Sequence, residues 1–172
     1  MPRFLDTLTG NFVWTDNPQT VVYAILSHTW RSLSDKIKRA CEVARNAGYR
    51  LIWNDACCID KSSSAELTEA INSMFELYKN ADICYTFLAD VPDGDIPSDI
   101  SSQFRSSRWH TRGWTLQELI APKRMVFLTK SWHFAILTGR VALDSISAAR
   151  RMSWASGRQT TRVEDRAYSL MG

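Results

Sequence analysis

Val21-Val22-Tyr23-Ala24-Ile25-Leu26 is a short, unbroken apolar and β-prone run, which is the composition of a buried strand. The segments that follow have helical and extended periods in turn. Leu33, Ile37, Ala40, Val43, Ala44 and Ala47 recur at helical spacing, and Gly48 stops that helix. Leu51-Ile52-Trp53 reads as a second strand. Ser63 and Glu66 form a capping-box pattern, and Leu67, Ile71, Met74, Phe75 and Tyr78 then mark one apolar helix face. Ile83 to Leu88 reads as a third strand, and Pro92, Gly94 and Pro97 mark a loop. A helix bearing Glu118 ends at Pro122, and Met125-Val126-Phe127-Leu128 makes a fourth strand. The last forty residues read as helical, with Thr161 and Glu164 as another capping pair. This alternation predicts an α/β fold: a mostly parallel central sheet with helices on both faces and an extra C-terminal helical part.

The bulk numbers agree with one ordinary globular domain over residues 1–172: 45% hydrophobic and 23% charged. Seven tryptophans are a large aromatic payload, enough for some to line a groove. The net charge of +3 gives no argument for nucleic acid. Arg140, Arg150, Arg151, Arg158, Arg162 and Arg166 concentrate towards the end and read as a solvated helical face before they read as a phosphate-binding patch. No apolar run approaches the roughly 20 residues that span a bilayer, and no secretory leader is visible. Cys41, Cys57, Cys58 and Cys84 have no disulfide-framework spacing, so reduced thiols in a cytoplasmic protein are expected. The chain stops at Gly172 directly after an apolar helical turn, which reads as a fragment of something longer, truncated on its C-terminal side.

Open parallel sheets bind ligands outside the carboxyl ends of their strands. Strand one ends in Ser27-His28-Thr29-Trp30, and strand two in Asn54-Asp55, with Cys57-Cys58 just beyond. The segment after strand three delivers Arg112, Trp114 and Glu118. In Thr111 to Leu119 the acid follows a tryptophan by four residues, so both lie on one helix face, one turn apart. Polar groups from three segments are thus expected on one rim. Each has a plainer use. His28 can satisfy a backbone carbonyl, Asp55 can cap a turn, Trp114 can be core, and Glu118 can pair with Arg112 at the surface, where such a pair contributes little. Metal binding is weakly supported, because the adjacent cysteines form no C-x-x-C and His110 and His133 lack partners at ligand spacing. Cys58 as nucleophile with His28 as base competes with a buried, inert cysteine. The common Gly-rich phosphate loops are absent, which argues against P-loop and dinucleotide-binding Rossmann folds.

Taken together, four blocks resemble the fungal heterokaryon-incompatibility (HET) domain. Tyr23 to Trp30 resembles its opening block, and Trp53 to Asp60 with the helix after it resembles the second. Arg112 to Ile120 is similar to the third, and Glu164 to Gly172 to the closing motif. The resemblance implies an effector of non-self recognition that triggers programmed cell death when incompatible fungal cells fuse. It also implies a place beside a nucleotide-binding, NLR-type regulatory module, fused or as a partner. A remoter likeness, carried by Trp114 to Leu119, is to Toll/interleukin-1 receptor (TIR) domains, with Thr115 in place of their cysteine. It implies a flavodoxin-like three-layer sandwich, homo-oligomeric when active, that cleaves NAD at the nicotinamide–ribose bond.

Carried over, the likeness makes Glu118 the catalytic acid, with Asp55 and His28 orienting ribose hydroxyls or a water. Trp30 or Trp114 would stack on the departing ring, and Ser27, Arg112 and Cys58 complete the substrate contacts. No bound cofactor is implied, since NAD enters as substrate. A non-enzymatic module acting by homotypic assembly is the alternative. Three departures from the family pattern bear on both readings. Arg31 stands where a glycine is usual, the segments after Trp30 and Trp132 are short, and the family's segment beyond Gly172 is absent. Short segments would remove part of a pocket wall.

Overall fold

In a computed structural model, described over residues 1–29, 34–139, 148–161 and 165–169, one sheet organises the chain. Its seven strands are β1 (Arg3–Asp6), β2 (Phe12–Trp14), β3 (Tyr23–His28), β4 (Leu51–Trp53), β5 (Ile83–Phe87), β6 (Arg124–Leu128) and β7 (Phe134–Gly139). The spatial order is β2-β1-β4-β3-β5-β6-β7. The four inner strands β4, β3, β5 and β6 run parallel, and antiparallel strands extend both edges. The parallel core is the part read from the sequence.

The β1–β2 hairpin and β7 were not. β7 occupies a segment read as helical, because a short apolar run such as Phe134-Ala135-Ile136-Leu137 has no decisive period. Its antiparallel pairing with β6 decides the matter, in register from Arg124↔Gly139 to Phe127↔Ile136 and then shifted by one residue to Leu128↔Phe134. The extra C-terminal helical part therefore begins later, with α5 (Ala148–Ser156) and α6 (Asp165–Tyr168). The first parallel strand is also displaced from 21–26 to 23–28. Val22 is 71% exposed, whereas Ser27 and His28 pair with Thr86 and Phe87 and extend the strand.

Helices α1 (Ser34–Asn46) and α2 (Ser64–Asn80) are the two long crossovers. β3 lies between β4 and β5, so the connections through α1 and α2 run in opposite directions across the sheet, and right-handed crossovers then put the two helices on opposite faces. The side chains agree. Tyr23 on β3 donates its hydroxyl to the Leu77 carbonyl of α2 at 2.6 Å. Lys36 of α1 lies 5.6 Å from the centre of the Phe87 ring, and Phe87 pairs with His28 on the other face. All six residues of β3 and all five of β5 are buried, as strands covered on both sides must be. The core centres on Phe4, Tyr23, Ile25, Leu26, Trp53, Tyr78, Leu88 and Val126.

Gly48, at φ 90, ends the α1 segment in a conformation that side-chain-bearing residues rarely adopt. α2 is capped as expected at Ser63, whose hydroxyl accepts from the Glu66 N–H at 3.3 Å. The reciprocal half of the box is redirected, since Glu66 accepts from the Asp60 N–H at 2.8 Å. Glu66 thereby ties the helix to the turn after β4. The Thr161–Glu164 pair cannot be compared, because Glu164 lies outside the described residues. Among the described residues, no helix is long and apolar enough to cross a membrane. Replacing Ser63 by Ala should cost about 1 kcal/mol of stability, read as a lower urea midpoint at unchanged slope; an unchanged midpoint would mean that the cap is dispensable.

Candidate functional site

Strand alternation decides what the predicted site residues can reach. Ser27 and His28 are neighbours on β3 and therefore project to opposite faces of the sheet. Ser27 faces α4 (Thr115–Ile120) and donates its hydroxyl to Glu118 Oε2. It accepts in turn from the Trp109 indole N–H at 2.6 Å. The Tyr78 hydroxyl donates to the Leu26 carbonyl at 3.3 Å, and burial, with Glu118 beside it, raises this phenol well above its usual value.

Glu118 is thus an interior group, 7% exposed, and the expected surface pair with Arg112 does not describe it. The reason is tertiary: α4 docks with its Thr115, Leu116, Gln117 and Glu118 buried. Burial, then the Asp55 charge, raise the carboxyl to about 8, against the pull of the Ser27 hydrogen bond, Arg112 and Arg158. At neutral pH it is a carboxylic acid.

On the other face, His28 is buried and its Nδ1 lies 3.2 Å from Asn54 Nδ2. Asn54 Oδ1 is already committed to the Ala56 N–H at 3.0 Å, so its amide N–H₂ is the end turned to the histidine. Nδ1 therefore accepts, and the proton resides on Nε2. That Nε2 is buried and has no hydrogen-bond partner. Burial, with Lys36, Arg112 and Lys61 nearby, lowers the imidazole to about 4, so it is neutral at pH 7. The turn after β4 is capped by Asn54. Asp55 Oδ1 stands 4.0 Å from His28 Nδ1 and raises Glu118 by its charge. Arg112 acts on both His28 and Glu118. The expected single rim is therefore two clusters, one on each face, joined electrostatically around the strand ends by Asp55 and Arg112.

The remaining predicted residues divide. Trp114 is half-buried against the core and donates its indole N–H to Asp165 at 3.2 Å. Cys58 belongs to the core, with its sulfur 3.4 Å from the Asn54 nitrogen. Its thiol is held well above the usual range by the Cys57 sulfur and by burial, the reverse of an activated nucleophile. Trp30 lies outside the described residues. Among those residues, no group of three or more His, Cys, Asp and Glu is placed to hold a metal ion.

Some members of the site escaped the sequence reading. Trp109 is fully buried and carries the Ser27 hydroxyl, yet nothing periodic marks it. Tyr78 read only as part of an apolar stripe, although a buried tyrosine needs a partner for its hydroxyl. Arg158, read as part of a solvated face, turns inward instead. Its Nη1 donates to the Arg112 carbonyl at 2.9 Å and to Thr115 Oγ1 at 2.5 Å. Beside it the backbone of Gln159 pairs with that of Arg112. A Cβ on Gly113 would stand 2.3 Å from Thr160 Cγ2, so only glycine admits this contact. Gly113 and Arg158 also line a cavity of about 210 Å³ with Met152, Ala155 and Ser169. Trp132 takes φ 66, a costly conformation for a bulky residue, and stacks on Phe87 at 4.3 Å beside the His28 end of β3.

The family model described as heterokaryon incompatibility protein (HET) matches residues 11–99. Vegetative incompatibility protein HET-E-1 of Podospora anserina is 39% identical over 192 residues, which takes in 87% of this chain. The chain belongs to the HET family. It spans 14% of the length of that relative. The matched span of 192 residues exceeds the 172 of this HET chain, so the relative carries residues inside it that are missing here. The HET model takes in His28, Asp55 and Cys58, whereas Arg112 and Glu118 lie beyond its last matched residue. No solved structure matches.

The raised Glu118 predicts a pH signature. Its folded value of about 8 lies above the ordinary 4.5, so the stability it permits is complete below about pH 4.5 and is lost as pH rises through 8. The lowered His28 works in the opposite sense, with its stability complete above the ordinary 6.5 and lost towards 4. Between pH 6.5 and 8.5 the parent should therefore lose on the order of a few kcal/mol. Glu118→Gln should be nearly flat over that window in urea denaturation. Equal slopes in parent and variant would show that Glu118 is not the group responsible.

Proposed function

We propose that this HET domain is an effector of fungal non-self recognition that triggers programmed cell death and acts in the cytoplasm by cleaving NAD or a related nucleotide. In this reading the fold is a TIR-like, flavodoxin-like three-layer sandwich. Family membership supports the incompatibility role. The reaction is supported by one observation above the others: Glu118 sits at the carboxyl end of a parallel strand, bonded to Ser27, with Asp55 and Arg112 in electrostatic range.

When the bond between nicotinamide and ribose breaks, its electron pair neutralises the pyridinium nitrogen and positive charge builds on the ribose. A carboxylate beside that carbon stabilises the charge. Water then adds there, and the carboxylate takes its proton. Trp114 and Trp30 serve as stacking surfaces for the departing ring, while Ser27, Asp55 and Arg112 complete the substrate environment around Glu118; His28 on the other face of the sheet and Cys58 in the core stand behind it and make no substrate contact. The resting acid is neutral and enclosed, so it must be uncovered and ionised before it can act. Homotypic assembly, driven by an NLR-type module fused to the domain or acting as its partner, supplies that step.

The burial of Glu118 also favours a second reading, in which the acid is structural and the domain signals by assembly alone. Nicotinamide release from NAD separates the two, measured with the purified chain clustered on a surface beside Glu118→Gln checked for folding by circular dichroism. The enzymatic reading expects turnover that rises with pH towards 8 and falls at least 100-fold in the folded variant. A folded, clustered parent without turnover would leave the assembly reading.

A further inference from the structure

The turn after β4 carries two thiols that the proposed reaction does not require. Cys57 Sγ lies 3.8 Å from Cys58 Sγ, in van der Waals contact across a single peptide bond. Cys57 is half-buried and Cys58 is buried, so Cys57 is the member of the pair nearer to solvent. We propose that Cys57 and Cys58 form a reversible oxidation site, in which a hydroperoxide-class oxidant converts the adjacent thiols into a vicinal disulfide.

The chemistry divides between the two sulfurs. A hydrogen bond from Cys58 lowers the Cys57 thiol, against burial and the Asp55 charge, whereas Cys58 is raised well above its usual value. Cys57 is therefore the attacking thiolate and Cys58 the resolving thiol. The Cys57 sulfur takes the distal oxygen of the peroxide, forming a sulfenic acid and releasing hydroxide or an alkoxide. Cys58 then attacks the Cys57 sulfur, the S–S bond forms as the S–O bond breaks, and the oxygen leaves as water with the Cys58 proton. Two electrons pass from the two thiols to one peroxide. Adjacent Cα atoms are about 3.8 Å apart, closer than ordinary disulfides span. The ring is strained on that account, and dithiol reductants reopen it.

The position of the pair gives the modification a consequence. Cys58 Sγ accepts the Asn54 N–H, and the Asn54 carbonyl accepts the N–H of Cys58 at 2.8 Å and that of Cys57 at 3.3 Å. The Asn54 side chain in turn holds His28. Moving Cys58 Sγ towards Cys57 takes the acceptor from Asn54 and disturbs the turn that bears both Asn54 and Asp55. The inference stands apart from the NAD reading, since it needs only the two sulfurs and the turn.

The experiment titrates the folded chain with hydrogen peroxide and follows intact mass, then maps the oxidised peptide. The expected product is lighter by about 2 Da, maps to a peptide with Cys57 and Cys58 joined, and reverts with dithiothreitol. Cys41→Ser should retain it, and Cys57→Ser and Cys58→Ser should each lose it. Phenylarsine oxide, which bridges neighbouring thiols, should load the reduced parent at one equivalent and protect it from peroxide, so the proposal can also be read without a substitution at the pair. A mass loss that survives Cys58→Ser would place the bond at Cys41, which the Cys57 charge also reaches, and would overturn the proposal. So would stepwise oxygen addition without loss of hydrogen, or a parent inert to both reagents.

Discussion

The hydrogen bond from Ser27 to Glu118 is the contact on which the site and much of the fold depend. It joins the centre of the parallel sheet to a six-residue helix far too short to be stable alone. α4 is retained by what it buries: the Leu116 side chain, Thr115 bonded to the Trp109 and Arg112 carbonyls, and Glu118 on the strand. A charged carboxylate in that place would be costly without full compensation. Protonation removes most of that cost, which is why the acid is raised rather than matched by a close cation. The resting arrangement is stable because it is neutral.

A second constraint is the two-residue period of β3. Successive side chains must face opposite ways, so Ser27 and His28 serve different clusters although they adjoin in sequence. The strand end brings the clusters back together, because Asp55 and Arg112 lie where charge from either face is felt. Asn54 sets the histidine tautomer and caps the turn with the same amide group. Cys58, in the same turn, accepts the Asn54 N–H. One short loop therefore couples thiol chemistry, a buried imidazole and the field at Glu118.

The parallel core was legible in the sequence because apolar strands and long amphipathic helices have strong, separate periods. Ser63 and Gly48 were legible because capping has its own chemistry. The edges were not. Phe12, Val13 and Trp14 make β2 without any buried side chain, so no alternation marks it, and β7 exists by virtue of β6. In the site, Ser27, His28, Asp55, Arg112 and Glu118 could be nominated from their places at element ends. The sequence could not say that Glu118 is enclosed, because that follows from how α4 docks. Nor did it mark Trp109 and Arg158, whose roles depend on a loop and a C-terminal segment folding over each other. Polar partners far apart in sequence leave no local period.

The account rests on Glu118 being a buried, neutral acid in the resting protein. Carboxyl-carbon NMR of glutamate-labelled protein, titrated from pH 4 to 9 and assigned with Glu118→Gln, measures this directly. One glutamate resonance, absent from the variant, is expected to titrate near pH 8, far above the ordinary 4.5. A Glu118 resonance that titrates near 4.5 would contradict this, because the acid would then be charged and hydrated at neutral pH.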